Sequence, residues 1–395
     1  MFNRLAFLLA LALTASAQAA QPNLRSGLQS DLSRYLAQRA KVEHISAISL
    51  SIYVPGDGSN INVTAGTSGY AGAGAPVNPG SLYQIGSITK SFTAAAILQL
   101  EGEGRITIDQ TVGQWLPQYP AWKHITIRRL LNMTSQIPTY DDVRSMLAAY
   151  AANPMKRWTP QELVAVVYPQ IDSKAPWLYS NTAYILSQMI VERATGNSYA
   201  AEIRRRFLDN PTIGFRSTYY QSNLYPASIT RSMVSGYFYS RDPDNDGLQP
   251  LIGKDVRMLS LSWAQGAGAI VSTPDDVTRW CRALYEGPVL KPKQRKELMS
   301  VVWQTSGKPL VGATPQRSRA FGLGVAQMYM PKMGRFWFYE GMTLGYRMTY
   351  VYFPKSHVVF AIGLNSQPPK KEDHVGQLML DVYSRLQAAG KIPAS

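Results

Sequence analysis

"QIGSITKSFTAAAIL", residues 84–98, sets a serine and a lysine three positions apart, after a glycine and at the start of an apolar run. Residues at i and i+3 share a helix face, so on a helix Lys90 would stand one turn above the Ser87 hydroxyl. Two readings follow. In one, Ser87 is a helix N-cap and Lys90 a solvated charge. In the other, Ser87 is a nucleophile and Lys90 the base that takes its proton. Lysine can do that only where burial or positive neighbours depress its pKa. The helix N-terminus would favour negative charge developing on the serine oxygen. The tetrapeptide does not choose, because S-x-x-K is expected roughly once by chance in a chain of this length.

Downstream, "APWLYSNTAYILSQMI" (175–190) holds the only Y-x-N of the chain, Tyr179-Ser180-Asn181, again where an apolar helical run begins. A phenol close to Ser87 and Lys90 could relay a proton between nucleophile and leaving group. Asn181 could hold Lys90 and a substrate carbonyl. Taken singly, Tyr179 reads equally as a packed aromatic and Asn181 as a helix cap.

The chain has 395 residues, 45% apolar and 11% aromatic, a globular composition. Residues 1–20 read as a signal peptide: Arg4, an apolar Leu5–Leu13 and small residues near Ala17–Ala19. That apolar run is too short to span a bilayer. A periplasmic or secreted protein is expected, with no transmembrane segment after cleavage. Cys281 is the only cysteine, so no internal disulfide can form. The formal charge of +15 suits an anionic cell envelope as surroundings. "RRR" (204–206) and "KPKQRK" (291–296) read as solvated helix faces and a loop. Nucleic acid is not an expected partner, since no binding motif is present.

Along the chain, Leu28, Leu32, Tyr35 and Leu36 form a helical stripe. "ISAISLSIYV" and "INVTAG" alternate like paired strands across a "PGDGSN" turn. Helices are expected from Phe92–Leu100, Ile127–Leu131, Gln161–Val167, Asn181–Ala194 and Pro274–Leu284. "AFGLGVAQMYM", "RFWFYEG", "GYRMTYVYFP" and "HVVFAIGLN" then read as four strands, closed by a helix striped with Val375, Leu378, Met379, Val382, Tyr383 and Leu386. The expected class is α/β: an antiparallel sheet from both chain termini flanked by helices, with an inserted, mostly helical lobe. The division would place 21–86 plus 300–395 in the α/β lobe and 87–299 in the helical one, as a single catalytic unit.

These segments resemble, in order, those of the serine β-lactamase and penicillin-binding superfamily, within it the class C β-lactamase, D-Ala-D-Ala carboxypeptidase and esterase group. "LYQIGSITKSFTAAAILQLEGEGRITIDQTVGQWLP" is similar to the nucleophile segment, and "HITIRRLLNMTSQIPTYDD" to the family's "LLTHTSGLP". "YSNTAYILSQMIVERATGNSY", "MVSGYFYS", "QGAGAIVSTPDDVTRWCRAL" and "FGLGV" follow, so the likeness runs from Ile45 to Asn365. It implies Ser87 as acylated nucleophile, Lys90 as base, Tyr179 as second acid/base group and Asn181 as a substrate and lysine contact. It implies no cofactor and no metal. The family's cationic triplet aligns with Tyr339-Glu340-Gly341, which would bind substrate, and the backbone N–H groups of Ser87 and Met342 would form the oxyanion hole.

Two departures stand out. Tyr339 replaces the cation that receives a substrate carboxylate; Arg347, two residues past the "LG" turn, is either a cation supplied from a neighbouring position or a surface residue. Met133 and Gln136 replace the family's usual histidine and glycine. Rival chemistries have little to build on. There are four histidines, His44, His124, His357 and His374, and no G-x-S-x-G elbow. "DPDNDG" (242–247) matches the opening of a calcium loop but lacks its twelfth-position glutamate, and reads as an exposed turn. The expected function is an exported serine hydrolase working through an acyl-enzyme, favoured as a D-Ala-D-Ala-type peptidase on peptidoglycan peptides. Its partner is then a small-molecule or peptide substrate. A class C-like β-lactamase, a carboxylesterase and a non-catalytic envelope peptide- or protein-binding member are the alternatives.

Overall fold

The computed structural model describes residues 24–221 and 223–393. The leader lies outside the described residues. Nine strands form one antiparallel sheet, numbered here in chain order. They are β1 (Ala47–Tyr53), β2 (Ile61–Gly66), β3 (Val301–Trp303), β4 (Pro309–Leu310), β5 (Arg319–Phe321), β6 (Ala326–Met330), β7 (Gly334–Thr343), β8 (Tyr346–Phe353) and β9 (Val358–Leu364). Their spatial order is β2-β1-β9-β8-β7-β6-β5-β3-β4, so strands from both ends of the chain meet where β1 pairs with β9.

Both faces of this sheet are covered, which is why its central strands are apolar almost throughout. Alternation assigns the faces. Ile48, Leu50 and Ile52 of β1 join Val358, Phe360, Ile362 and Leu364 of β9 in a core against helix α1 (24–43) and the C-terminal helix. The opposite face, with Tyr346, Met348, Tyr350 and Tyr352 of β8, belongs to a larger core. That core is shared with helices α2 (Thr89–Gly102), α3 (Asn181–Thr195) and α4 (Pro274–Tyr285). The C-terminal helix α5 (Val375–Ala388) buries all six residues of its expected stripe.

The structure departs from the sequence reading at several points. β3 and β4 were not foreseen, being too short to display alternation. "AFGLGVAQMYM" is two strands, broken where Gly324 takes φ +75. Helix α4 falls inside the expected helical lobe by sequence yet packs on β1 and β9. Asp275 at its start accepts Asn60 Nδ2 at 2.7 Å. Arg206 is not a solvated member of "RRR": it is buried and paired with Glu202 and Glu103. Among the described residues no helix is long and apolar enough to cross a membrane.

Candidate active site

The chain reaches Ser87 through a short strand, Tyr83–Gln84, then a 3-10 turn, Gly86–Ile88, which feeds α2. The helix starts at Thr89 and its N-cap position, Ile88, makes no side-chain cap. Ser87 is therefore not the cap that its sequence position also allowed. Two glycines let β7 lie against this turn. Gly86 has φ +49, and a Cβ there would sit 2.6 Å from Met342 N. A Cβ on Gly341 would fall 1.8 Å from the Ile85 carbonyl oxygen and 2.9 Å from Ser87 N. The amides of Ser87 and Met342 thus border one narrow gap, open to the cleft that both residues line.

Ser87 Oγ lies between two groups. Lys90 Nζ donates to it at 2.8 Å, and the Tyr179 hydroxyl is 2.5 Å away. Lys90 has no exposed surface. Its ammonium also donates to the Ala267 carbonyl at 2.8 Å and lies over the rings of Tyr179 and Tyr184. Burial lowers the Lys90 pKa to about 7, against the opposing charge of Asp141. The same burial pushes the Tyr179 phenol well above its usual value. Ala267 belongs to "QGAG" (265–268), a single helical turn fixed by buried polar groups. Gln188 Oε1 accepts Gly266 N at 2.8 Å, and Thr93 Oγ1 donates to the Gly266 carbonyl at 2.6 Å.

Asn181 opens α3, capped by Ser180, whose side chain accepts Ala183 N. The expected Asn181–Lys90 contact is not formed. Asn181 Nδ2 instead donates to Asp141 at 2.6 Å, leaving Oδ1 buried without a partner. On β7 the alternation of side chains puts Glu340 and Met342 on the cleft, while Tyr339 and Gly341 do not line it. Tyr339 is 5% exposed, packs on Phe321, and turns its buried hydroxyl toward Tyr179. Burial raises the Glu340 pKa to about 7. Arg347 is neither a cleft cation nor a surface residue. It is fully buried, paired with Glu43 at 2.8 Å and Asp373 at 2.5 Å.

The cleft also contains residues to which the sequence reading gave no role: Asp141, Asp142, Trp263 and Thr343. The available signal was "TYDD" (139–142), two acids directly after "NMTSQIP". Met133 and Gln136 take positive φ, +66 and +64, a backbone uncommon for residues with side chains. In "DPDNDG", Asp242 accepts Lys370 N, Asp244 pairs with Lys370 Nζ and Asp246 with Arg144. These carboxylates are engaged by Lys370 and Arg144. Among the described residues no three such side chains are grouped to hold a metal. No histidine lines the cleft at Ser87.

A family model described as Beta-lactamase matches residues 36–383. Penicillin-binding protein 4* of Bacillus subtilis is 28% identical over 279 residues, covering 69% of this chain and 58% of that protein. The putative penicillin-binding protein PbpX of the same organism is 25% identical over 252 residues, 62% of this chain and 54% of that one. The chain therefore spans a little over half the length of these curated relatives. A solved D-stereospecific amidohydrolase from Streptomyces sp. is 25% identical with a TM-score of 0.70, over 87% of this chain and 94% of that one. D-amino acid amidase from Ochrobactrum anthropi SV3, complexed with L-phenylalanine amide, shares the fold at TM-score 0.74 and 23% identity, over 93% and 99% of the two chains.

Proposed function

This chain belongs to the beta-lactamase family, and on that premise we propose that it is an exported serine hydrolase that cleaves amide bonds of D-amino-acid derivatives through an acyl-enzyme. The observation that carries the reading is the Ser87 oxygen held at 2.8 Å from a wholly buried lysine and 2.5 Å from the phenol of half-buried Tyr179. Ser87 Oγ attacks the substrate carbonyl and Lys90, part of whose population is neutral near pH 7, accepts its proton. Tyr179, held protonated by burial, protonates the leaving nitrogen and is reprotonated by the Lys90 ammonium. The backbone N–H groups of Ser87 and Met342 stabilise the oxyanion. Water then releases the acid by the same steps reversed.

Within the family reading, a D-Ala-D-Ala peptide needs a partner for its terminal carboxylate. Among the described residues, those lining this cleft include no lysine, arginine or histidine, and Arg347, opposite Met342 on the neighbouring strand, is committed to Glu43 and Asp373. An amide, or an internal peptide bond, makes no such demand. The likeness to a D-stereospecific amidohydrolase supports that choice. The leader-like segment and basic composition support placing the protein at the cell envelope, where peptides rich in D-residues occur. The test is ammonia release from D- and L-phenylalaninamide by the mature protein and its Ser87→Ala variant. Faster turnover of the D-enantiomer, abolished in Ser87→Ala, is expected. Turnover that survives the substitution, or that favours the L-enantiomer, would overturn the reading.

A further inference from the structure

The charge of the cleft is the reverse of what a carboxylate-binding site needs. In a volume of about 430 Å³, four acids, Asp141, Asp142, Asp244 and Glu340, line the walls around Ser87. Asp244 is met from the rim by Lys370 at 2.7 Å, and Asp141 is bonded by Asn181. Asp142 and Glu340 have no such ion-pair partner. Burial above all, with the charges of Asp141 and Asp244 added and Lys370 opposing, raises Asp142 to about 6.

Two polar side chains of the walls outside this acid set, Asn181 and Thr343, add a second feature. Three oxygens on the same walls lack any hydrogen-bond partner: Asn181 Oδ1, Glu340 Oε1 and Thr343 Oγ1. Thr343 is only 3% exposed. Buried acceptors left open are uncommon, because each forfeits its bond to water. Asn181 Oδ1 cannot be turned into a donor by flipping the amide without breaking the bond to Asp141. The site thus offers acceptors and negative field together, and a ligand that satisfies both brings several N–H donors and a positive charge. An ammonium group carries three donors and no acceptor.

We propose that the cleft selects substrates with a free ammonium group close to the scissile carbonyl, received by Glu340, Asn181 Oδ1 and Thr343 Oγ1, with Asp141 and Asp142 supplying the attractive field. The proposal rests on Ser87 being the nucleophile and names the substrate class: unblocked amino-acid amides or amino-terminal D-residues of peptides, in contrast to N-acylated or carboxylate-terminated ones.

The experiment pairs D-alanine p-nitroanilide with its N-acetyl form, which share a leaving group. In parallel, D-phenylalaninamide and N-acetyl-D-phenylalaninamide are tested for protection of Ser87 against a neutral fluorophosphonate. The free amine should win by about tenfold in kcat/KM, the worth of one charge-assisted hydrogen bond, and should alone protect. Glu340→Gln and Asp142→Asn should each shrink that ratio, mainly through KM, and the surface change Asp142→Lys should abolish or invert it. If Ser87 is labelled but the N-acetyl compounds are cleaved or protect equally well, the ammonium proposal falls and the nucleophile reading stands. If folded protein is not labelled at Ser87, the nucleophile reading falls and takes this proposal with it.

Discussion

Lys90 would be an ordinary helix lysine if the Ala267 carbonyl and the rings of Tyr179 and Tyr184 did not close over it. Burial disfavours its charged form, so the neutral amine becomes available near pH 7. The sign follows: a base works when deprotonated, so kcat/KM toward a neutral substrate should rise about tenfold per pH unit below that pKa and level off above it. Glu340 and Asp142 titrate in the same region, at about 7 and 6. The ascending limb should persist in Glu340→Gln and Asp142→Asn and vanish with residual activity in Lys90→Met. A limb that moves with the carboxyl variants would assign the titration to them. At this scale the sequence was legible for Ser87, Lys90 and Tyr179 because their types and spacing are chemically constrained. It misplaced Arg347, whose partners Glu43 and Asp373 are remote in sequence, and gave Asn181 the wrong partner, because its bond to Asp141 depends on where the segment after Gln136 turns.

Strand β7 and the turn at Ser87 form the element on which the geometry depends. Their approach is so close that Gly341 cannot carry a side chain without moving one of them, since its Cβ would collide with the Ile85 carbonyl. Gly341→Ala should therefore cut the acylation rate by about 100-fold, the cost of an ångström-scale displacement of the proposed oxyanion donors, the amides of Ser87 and Met342. Gly376→Ala on α5 is the matched comparison. A Cβ there meets nothing within 4 Å, and the change should leave acylation untouched while slightly favouring the helix. Equal effects at both glycines would remove the special role of β7. Long helices and the four central strands were legible because their apolar periods repeat over enough residues. Strands of two or three residues, such as β4 and Tyr83–Gln84, take their conformation from neighbours and leave no period to read.

Across the whole molecule, the site is assembled from parts far apart in the chain: Ser87 and Lys90 from α2 and its turn, Tyr179 before α3, Ala267 beneath, and Met342 from β7. The ordering of motifs made the fold readable before the site was. What the order could not supply was the sign of the cleft, because Asp141, Asp142, Asp244 and Glu340 come together only when the segments holding them fold over the sheet. An isolated Ser87 hydroxyl has no exceptional reactivity, so reactivity should belong to the folded chain alone. The most direct measurement is peptide mass spectrometry of mature protein after a fluorophosphonate, in buffer and in denaturing urea. One adduct, on Ser87, formed only in buffer is the expected result. No adduct on folded protein, an adduct on another residue, or equal labelling of the unfolded chain would contradict the assignment of Ser87 as nucleophile.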